Sequence, residues 1–60
     1  MRSVIKARDL IVGDIVIMDD DSEQKITSLS IKPRRVIACF GKILFIETHP
    51  SDFVTIMKRS

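Results

Sequence analysis

The sequence predicts an all-β protein, a small barrel of five or six short antiparallel strands. Short apolar runs rich in β-branched residues recur along the chain at a spacing of roughly 8–12 residues, each bounded by turn-forming residues. The clearest run, Ile15 to Met18, directly follows Gly13-Asp14, a pair that suits a tight turn. Closing such strands into a barrel would hide the backbone edges that an open sheet exposes.

The N-terminal region predicts an edge strand followed by a turn. Residues Ser3–Ala7 are β-prone, and Arg8-Asp9-Leu10 can form one helical turn that Asp9 would cap. Too few residues remain before Gly13 for a longer helix. The run from Ile15 to Met18 is then too short and too β-branched to be helical, so it predicts a buried strand.

The next segment predicts a loop and an irregular strand. Residues Asp19–Ser22 carry three adjacent carboxylates and are expected to form a loop. Residues Glu23–Ile31 predict one strand, but the spacing of its apolar residues shifts by one near Thr27-Ser28. A β-bulge there would keep a single face buried.

The C-terminal half predicts a hairpin and a last strand. Pro33 marks a turn, and the β-prone runs Val36–Phe40 and Lys42–Thr48 are separated only by Gly41. A loop with Pro50 at its centre then leads to a final strand, Phe53–Met57. Residues 58–60 are expected to form a flexible tail.

Size and composition predict one domain that gains stability from a partner. A chain of 60 residues buries only roughly 60% of its unfolded surface, so its stability margin is thin, and its single cysteine, Cys39, excludes an internal disulfide. A single histidine excludes the usual zinc spacings. We find no apolar leader and no apolar run near the ~20 residues that span a bilayer, so we expect a cytoplasmic protein without membrane contact.

Charge indicates a weak preference for polyanions. The net charge is +2 and the pI about 9.0, and the basic residues concentrate in one loop and at the C-terminus. Arginine and lysine in such positions can bind phosphates. The candidate nucleic-acid-binding residues are Lys32, Arg34, Arg35, Lys58 and Arg59.

Other polar groups favour structural interpretations over chemical ones. The acidic stretch from Asp19 to Glu23 lacks the glycine and the flanking helices of a calcium loop, so a solvated loop is the simpler interpretation. His49, Ser51 and Asp52 lie too close in sequence to be presumed a catalytic relay, and they suit a turn. Cys39 is expected to be a small core residue. We therefore expect no catalytic residue, metal, cofactor or small-molecule substrate.

The hairpin carries apolar residues on both faces, which a small monomeric barrel could not bury entirely. Some of them should therefore reach the surface and form an interface. At least two of Phe40, Phe45 and Phe53 are expected to be buried. The candidate protein-interface residues are Val36, Phe40, Leu44 and Ile46.

The stretch KARDLIVGDIVIMDD, together with the later PSDFVTI, resembles the opening of SH3-like barrels with a D-L-x-x-G-D-x-V motif. The KOW-type modules and the N-terminal domain of elongation factor P open in this way, and small uncharacterised phage and bacterial proteins look similar. The resemblance covers about residues 4 to 18 and implies that Leu10, Val12 and Val16 are core residues. In KOW-type proteins it implies contact with RNA or with polymerase and ribosome surfaces.

Two functions follow from the sequence, and neither is enzymatic. The first is a nucleic-acid-associated binding module that uses the basic loop and tail. The alternative is a protein-interaction module, such as a phage-encoded accessory protein, that docks on a partner or forms a homodimer through the apolar hairpin. Salt should distinguish them, because phosphate binding weakens with salt while apolar contacts persist.

Overall fold

Two antiparallel sheets account for most of residues 1–59, the part of the chain that this computed structural model describes. The first sheet has the strand order β1-β7-β2-β3 and the second the order β4-β5-β6. The strands are β1 (Arg2–Lys6), β2 (Ile15–Ile17), β3 (Glu23–Lys25), β4 (Ser28–Ile31), β5 (Val36–Phe40), β6 (Leu44–Thr48) and β7 (Phe53–Met57). The all-β prediction is confirmed. Residues 1–59 form seven strands where five or six were expected, and the two sheets do not close into one barrel.

The predicted edge strand and helical turn are both present. Strand β1 pairs with β7 at the edge of the first sheet and is followed by a 3-10 turn over Ala7–Asp9. No side chain caps this turn, so the capping role expected for Asp9 is wrong. The turn is instead held by backbone hydrogen bonds, in which Ala7 N donates to Asp52 O at 2.8 Å and Arg8 N to Pro50 O at 3.2 Å.

The segment expected to be one bulged strand is a corner between the two sheets. Strand β3 pairs with β2, and β4 pairs with β5. Between them, Ile26 exchanges hydrogen bonds with the Gly13–Asp14 turn, while Thr27 N donates to Cys39 O at 2.8 Å. The shift in apolar spacing therefore marks the point where the chain passes from one sheet to the other, and the expected bulge is wrong.

The predicted hairpin is confirmed with a longer loop. Phe40 pairs with Leu44, so Gly41, Lys42 and Ile43 form the connection and β6 begins two residues later than predicted. Gly41 has φ of 91°, a backbone conformation that residues with a side chain rarely adopt. Glycine at this position thus allows the chain to reverse within three residues.

The core lies between the sheets and is largely aliphatic. Leu10 and Val16 are 2% exposed, as predicted, whereas Val12 is 57% exposed and its predicted core position is wrong. Val12 lies in the turn before β2, where Leu10, two residues earlier, fills the core and the chain reverses at Gly13. The buried core cluster comprises Ala7, Leu10, Val16, Ile26, Val36, Ala38, Phe40 and Ile56.

Candidate interaction site

Arg59 takes part in a structural ion pair rather than lying on a free tail. Its Nε donates to Asp14 Oδ1 at 2.8 Å and its Nη2 to Asp14 Oδ2 at 2.7 Å. Nη2 also donates to Asp9 O at 2.9 Å, and Ile11 N donates to Asp14 Oδ2 at 3.0 Å. We call Asp14 and Arg59 together the clasp. It fastens Arg59 to the turn before β2, while Ser60, the last residue of the predicted flexible tail, lies outside the described residues.

The clasp keeps a buried carboxylate ionised. The Asp14 side chain is only 3% exposed, which by itself would raise its pKa. The hydrogen bonds from Arg59 outweigh this burial, and with the Ile11 amide they hold the pKa of Asp14 below its ordinary value. Sequence reasoning identified Asp14 and Arg59 separately but not as partners, because 45 positions separate them.

The remaining basic candidates lie in two places. Lys32, Arg34 and Arg35 lie in the exposed turn between β4 and β5, where Arg35 Nη1 lies 3.7 Å from Glu47 Oε2. Lys58 follows β7, where its backbone N donates to Met1 O at 2.8 Å. Within residues 1–59, no hydrogen bond or ion pair joins these two places. The predicted phosphate-binding set is therefore divided, and the clasp already engages one of its members.

The hairpin places its predicted interface residues in different environments. Val36 is fully buried and Phe40 is 8% exposed, because alternate residues of β5 point into the core. Leu44 is 40% exposed and Ile46 is partly buried. Val36 and Phe40 therefore cannot offer an external surface in this fold. The most exposed apolar residues of the hairpin are instead Ile43 at 95% and Phe45 at 59%.

The aromatic residues and Cys39 also differ from expectation. Phe40 is the one buried phenylalanine of residues 1–59, since Phe45 and Phe53 are 59% and 70% exposed. The expectation that at least two would be buried is wrong. Cys39 is partly buried, but it lies between the core residues Ala38 and Phe40 and so points to the opposite face of β5. It is not part of the core cluster.

The loop before β7 is the turn that the sequence predicts. Asp52 Oδ2 accepts hydrogen bonds from Thr48 Oγ1 at 2.6 Å and from His49 N at 3.0 Å. These bonds hold the pKa of Asp52 below its ordinary value, the Thr48 hydroxyl contributing most. Ser51 N donates to His49 Nδ1 at 3.1 Å. The polar side chains of this loop therefore bond within the turn itself.

Strand β6 is a free edge beside two clefts. Within residues 1–59 it pairs with β5 alone and is the outer strand of its sheet. Leu44, Ile46 and Thr48 share one face of β6, because alternate residues of a strand point the same way. Ile46 and Thr48 line a first cleft of about 300 Å³, and Leu44 lines a second of about 400 Å³. We call β6 with these two clefts the β6 edge.

The two clefts differ in polarity and share an acidic border. Apolar side chains line much of the first, with Val16, Ile17 and Met18 on the side opposite Ile46, but polar atoms supply slightly more of its exposed surface. The second exposes more apolar than polar surface. Asp19 lines both clefts and Asp20 lines the second. Hydrogen bonds from Ser22 hold the pKa of Asp20 below its ordinary value, so this carboxylate is ionised at neutral pH. Among residues 1–59, no Lys, Arg or His lines either cleft.

Comparisons with known proteins find no relative of this chain. No protein-family model, no curated protein and no solved structure matches the chain. Within residues 1–59, no group of three or more His, Cys, Asp or Glu side chains could hold a metal ion. The same residues contain no helix with the length and hydrophobicity needed to cross a membrane.

Proposed function

We propose that this protein is a non-enzymatic protein-interaction module that binds its partner at the β6 edge. The observation that carries the proposal is a free strand edge with exposed apolar side chains, Phe45 at 59% in β6 and Ile43 at 95% in the connection just before it. Natural proteins usually protect such edges with lysine, proline, bulges or a covering element. Residues 44–48 contain no proline and no lysine, and one charged residue, Glu47.

We further propose that the two sheets are the halves of an SH3-like barrel that is open beside β6. Support comes from the shared corner at Ile26-Thr27, through which one continuous segment joins β2 in the first sheet to β5 in the second. In this interpretation the clefts are the gap between the halves. A bound strand would then occupy the place where a closed barrel has its own strand pairing.

A random heptapeptide library displayed on phage tests the interaction proposal. We expect the wild-type protein to enrich a set of peptides that the Phe45→Lys variant does not retain. Lysine on a strand edge disfavours pairing with another strand, and a side chain that is 59% exposed can be replaced without opening the core. Peptides that bind the variant equally well would place the interaction elsewhere and contradict the proposal.

Nucleic-acid binding at the turn between β4 and β5 is the second candidate. Lys32 and Arg34 are exposed there, and neither makes an ion pair within residues 1–59. If phosphates bind at this turn, a mixed twelve-nucleotide probe should bind at low salt and lose affinity steeply as salt rises. The Lys32→Ala, Arg34→Ala variant should then lose that binding. A variant that binds the probe as wild type does would remove this candidate.

A further inference from the structure

We infer that the β6 edge binds an extended peptide, added as a fourth strand to the second sheet, whose inward side chains pair an apolar residue with a lysine or arginine. The inference deepens the proposed interaction function and rests on it. It names the chemistry of the partner: a short segment in β conformation with an apolar and a basic side chain two positions apart.

The geometry of β6 supports strand addition. A strand at a sheet edge presents unpaired backbone N–H and C=O groups, and a peptide can pair with them along its length. Leu44, Ile46 and Thr48 point to one face at intervals of two residues, about 6.8 Å apart. These side chains line the two clefts, so the inward side chains of an added strand, spaced by the same interval, would fall beside successive clefts.

The two clefts call for different side chains. Six of the residues that line the first are apolar, namely Val16, Ile17, Met18, Ile46, Phe53 and Val54, and its volume of about 300 Å³ suits a branched aliphatic side chain. The second exposes more apolar than polar surface, with Met18 and Leu44 among its lining residues, and has Asp19 and Asp20 at its border. Its carboxylates would attract a cation, and a long lysine or arginine side chain can lay its methylenes against Met18 and Leu44.

Charge also argues against a second copy of this chain as the occupant. Because the clefts flank β6, pairing β6 with the β6 of another copy would bring both acidic loops towards one interface. Glu47, on β6 itself, is already paired with Arg35 and adds little to this repulsion. A peptide that carries lysine meets the same carboxylates with opposite charge, which favours it over the homodimer.

The test peptide carries a lysine two positions before and two positions after its apolar residue. It therefore presents the same apolar–basic spacing whether it pairs parallel or antiparallel to β6. The probe is the capped heptapeptide Thr-Lys-Thr-Ile-Thr-Lys-Thr, with Thr-Glu-Thr-Ile-Thr-Glu-Thr as its matched control. We expect the lysine peptide to bind the wild-type protein more tightly in calorimetry. In amide NMR, the largest shifts and new protection should fall on residues 44–48.

Charge reversal provides the decisive comparison. The Asp19→Asn, Asp20→Asn variant should bind the lysine peptide about three- to tenfold more weakly, the range expected for two partly exposed ion pairs. The Asp19→Lys, Asp20→Lys variant should instead prefer the glutamate peptide. Equal binding of both peptides to every variant would overturn the inference, as would shifts confined to other strands.

The remaining outcomes separate this inference from the proposed function. If phage selection yields peptides that depend on Phe45 but show no apolar–basic spacing, the interaction function stands and the inferred partner chemistry is wrong. If light scattering shows a dimer whose β6 amides are already protected, a second copy occupies the edge and the inference is overturned. If the lysine peptide and the phage library both fail to bind, the proposed function fails as well.

Discussion

The clasp and the β6 edge differ in whether their polar groups have hydrogen-bond partners. At the clasp, the buried Asp14 carboxylate accepts hydrogen bonds from Arg59 and from the Ile11 amide. At the β6 edge, one side of a strand has no pairing partner within residues 1–59, and apolar side chains reach the surface beside it. The clasp holds Arg59 against the turn before β2, whereas the outer side of β6 has backbone donors and acceptors that pair with no other strand of residues 1–59.

The difference shows where stability and binding reside in a very small domain. A satisfied buried carboxylate contributes to folding, and its removal leaves donors without a partner. An unpaired edge contributes little to folding but is a template for another strand. Substitutions at the clasp should therefore change folding stability, and substitutions at the β6 edge should change peptide binding.

The largest effect is expected from Asp14→Ala. The substitution removes the acceptor of two arginine hydrogen bonds and one amide hydrogen bond, so we expect unfolding free energy to fall by about 3 kcal/mol. For a domain of this size that loss corresponds to a Tm lower by roughly 12 °C or more. Calorimetry of wild type and variant measures it.

Asp19→Ala is the matched control, because it removes the same charge from an exposed side chain at the β6 edge. Its Tm should stay close to that of wild type, as is usual for surface substitutions. If the two variants lost equal stability, the clasp would be no more than a surface ion pair.

A smaller effect is expected from acid. The pKa of Asp14 in the folded protein lies below its ordinary value of 3.8, so the stability it contributes is fully present above that value and is lost as pH falls through the lower folded pKa. We expect the Tm of wild type to fall more steeply below about pH 4 than that of Asp14→Asn. Asp20 and Asp52 also have lowered pKa values, but wild type and Asp14→Asn both contain these two residues, so their contribution is common to the two curves. Parallel curves would mean that the clasp does not govern this part of the acid response.

The sequence predicted the strands well because their signal is local. The turn at Gly13-Asp14 and the runs that became β5 and β7 were all recognisable from neighbouring residues. The corner at Ile26-Thr27 was not, because a bulge and a passage between two sheets shift the apolar spacing in the same way. Only the identity of the pairing strands separates these alternatives, and that is long-range information.

The candidate site was less accessible from sequence for the same reason. Arg59 belongs to a charged C-terminal segment that is typical of a solvated tail. Nothing near it in sequence indicates that Asp14 binds it. On the hairpin, apolar character alone could not show which residues point inward, so Val36 and Phe40 were chosen together with Leu44 and Ile46. The β6 edge itself depends on which strand lacks a neighbour, a property of the whole sheet order.

The smallest effect on stability is expected from Phe45→Lys. Phe45 lies opposite Cys39 on the face of β6 away from Leu44 and Ile46, and more than half of its surface is exposed. Its replacement should change unfolding free energy by no more than about 0.5 kcal/mol, as for other surface positions, measured by urea denaturation. The same variant should lose the peptides that wild type selects, whereas Asp14→Ala, assayed well below its Tm, should keep them. If Phe45→Lys unfolds the protein, the β6 edge belongs to the folding core and the contrast with the clasp disappears.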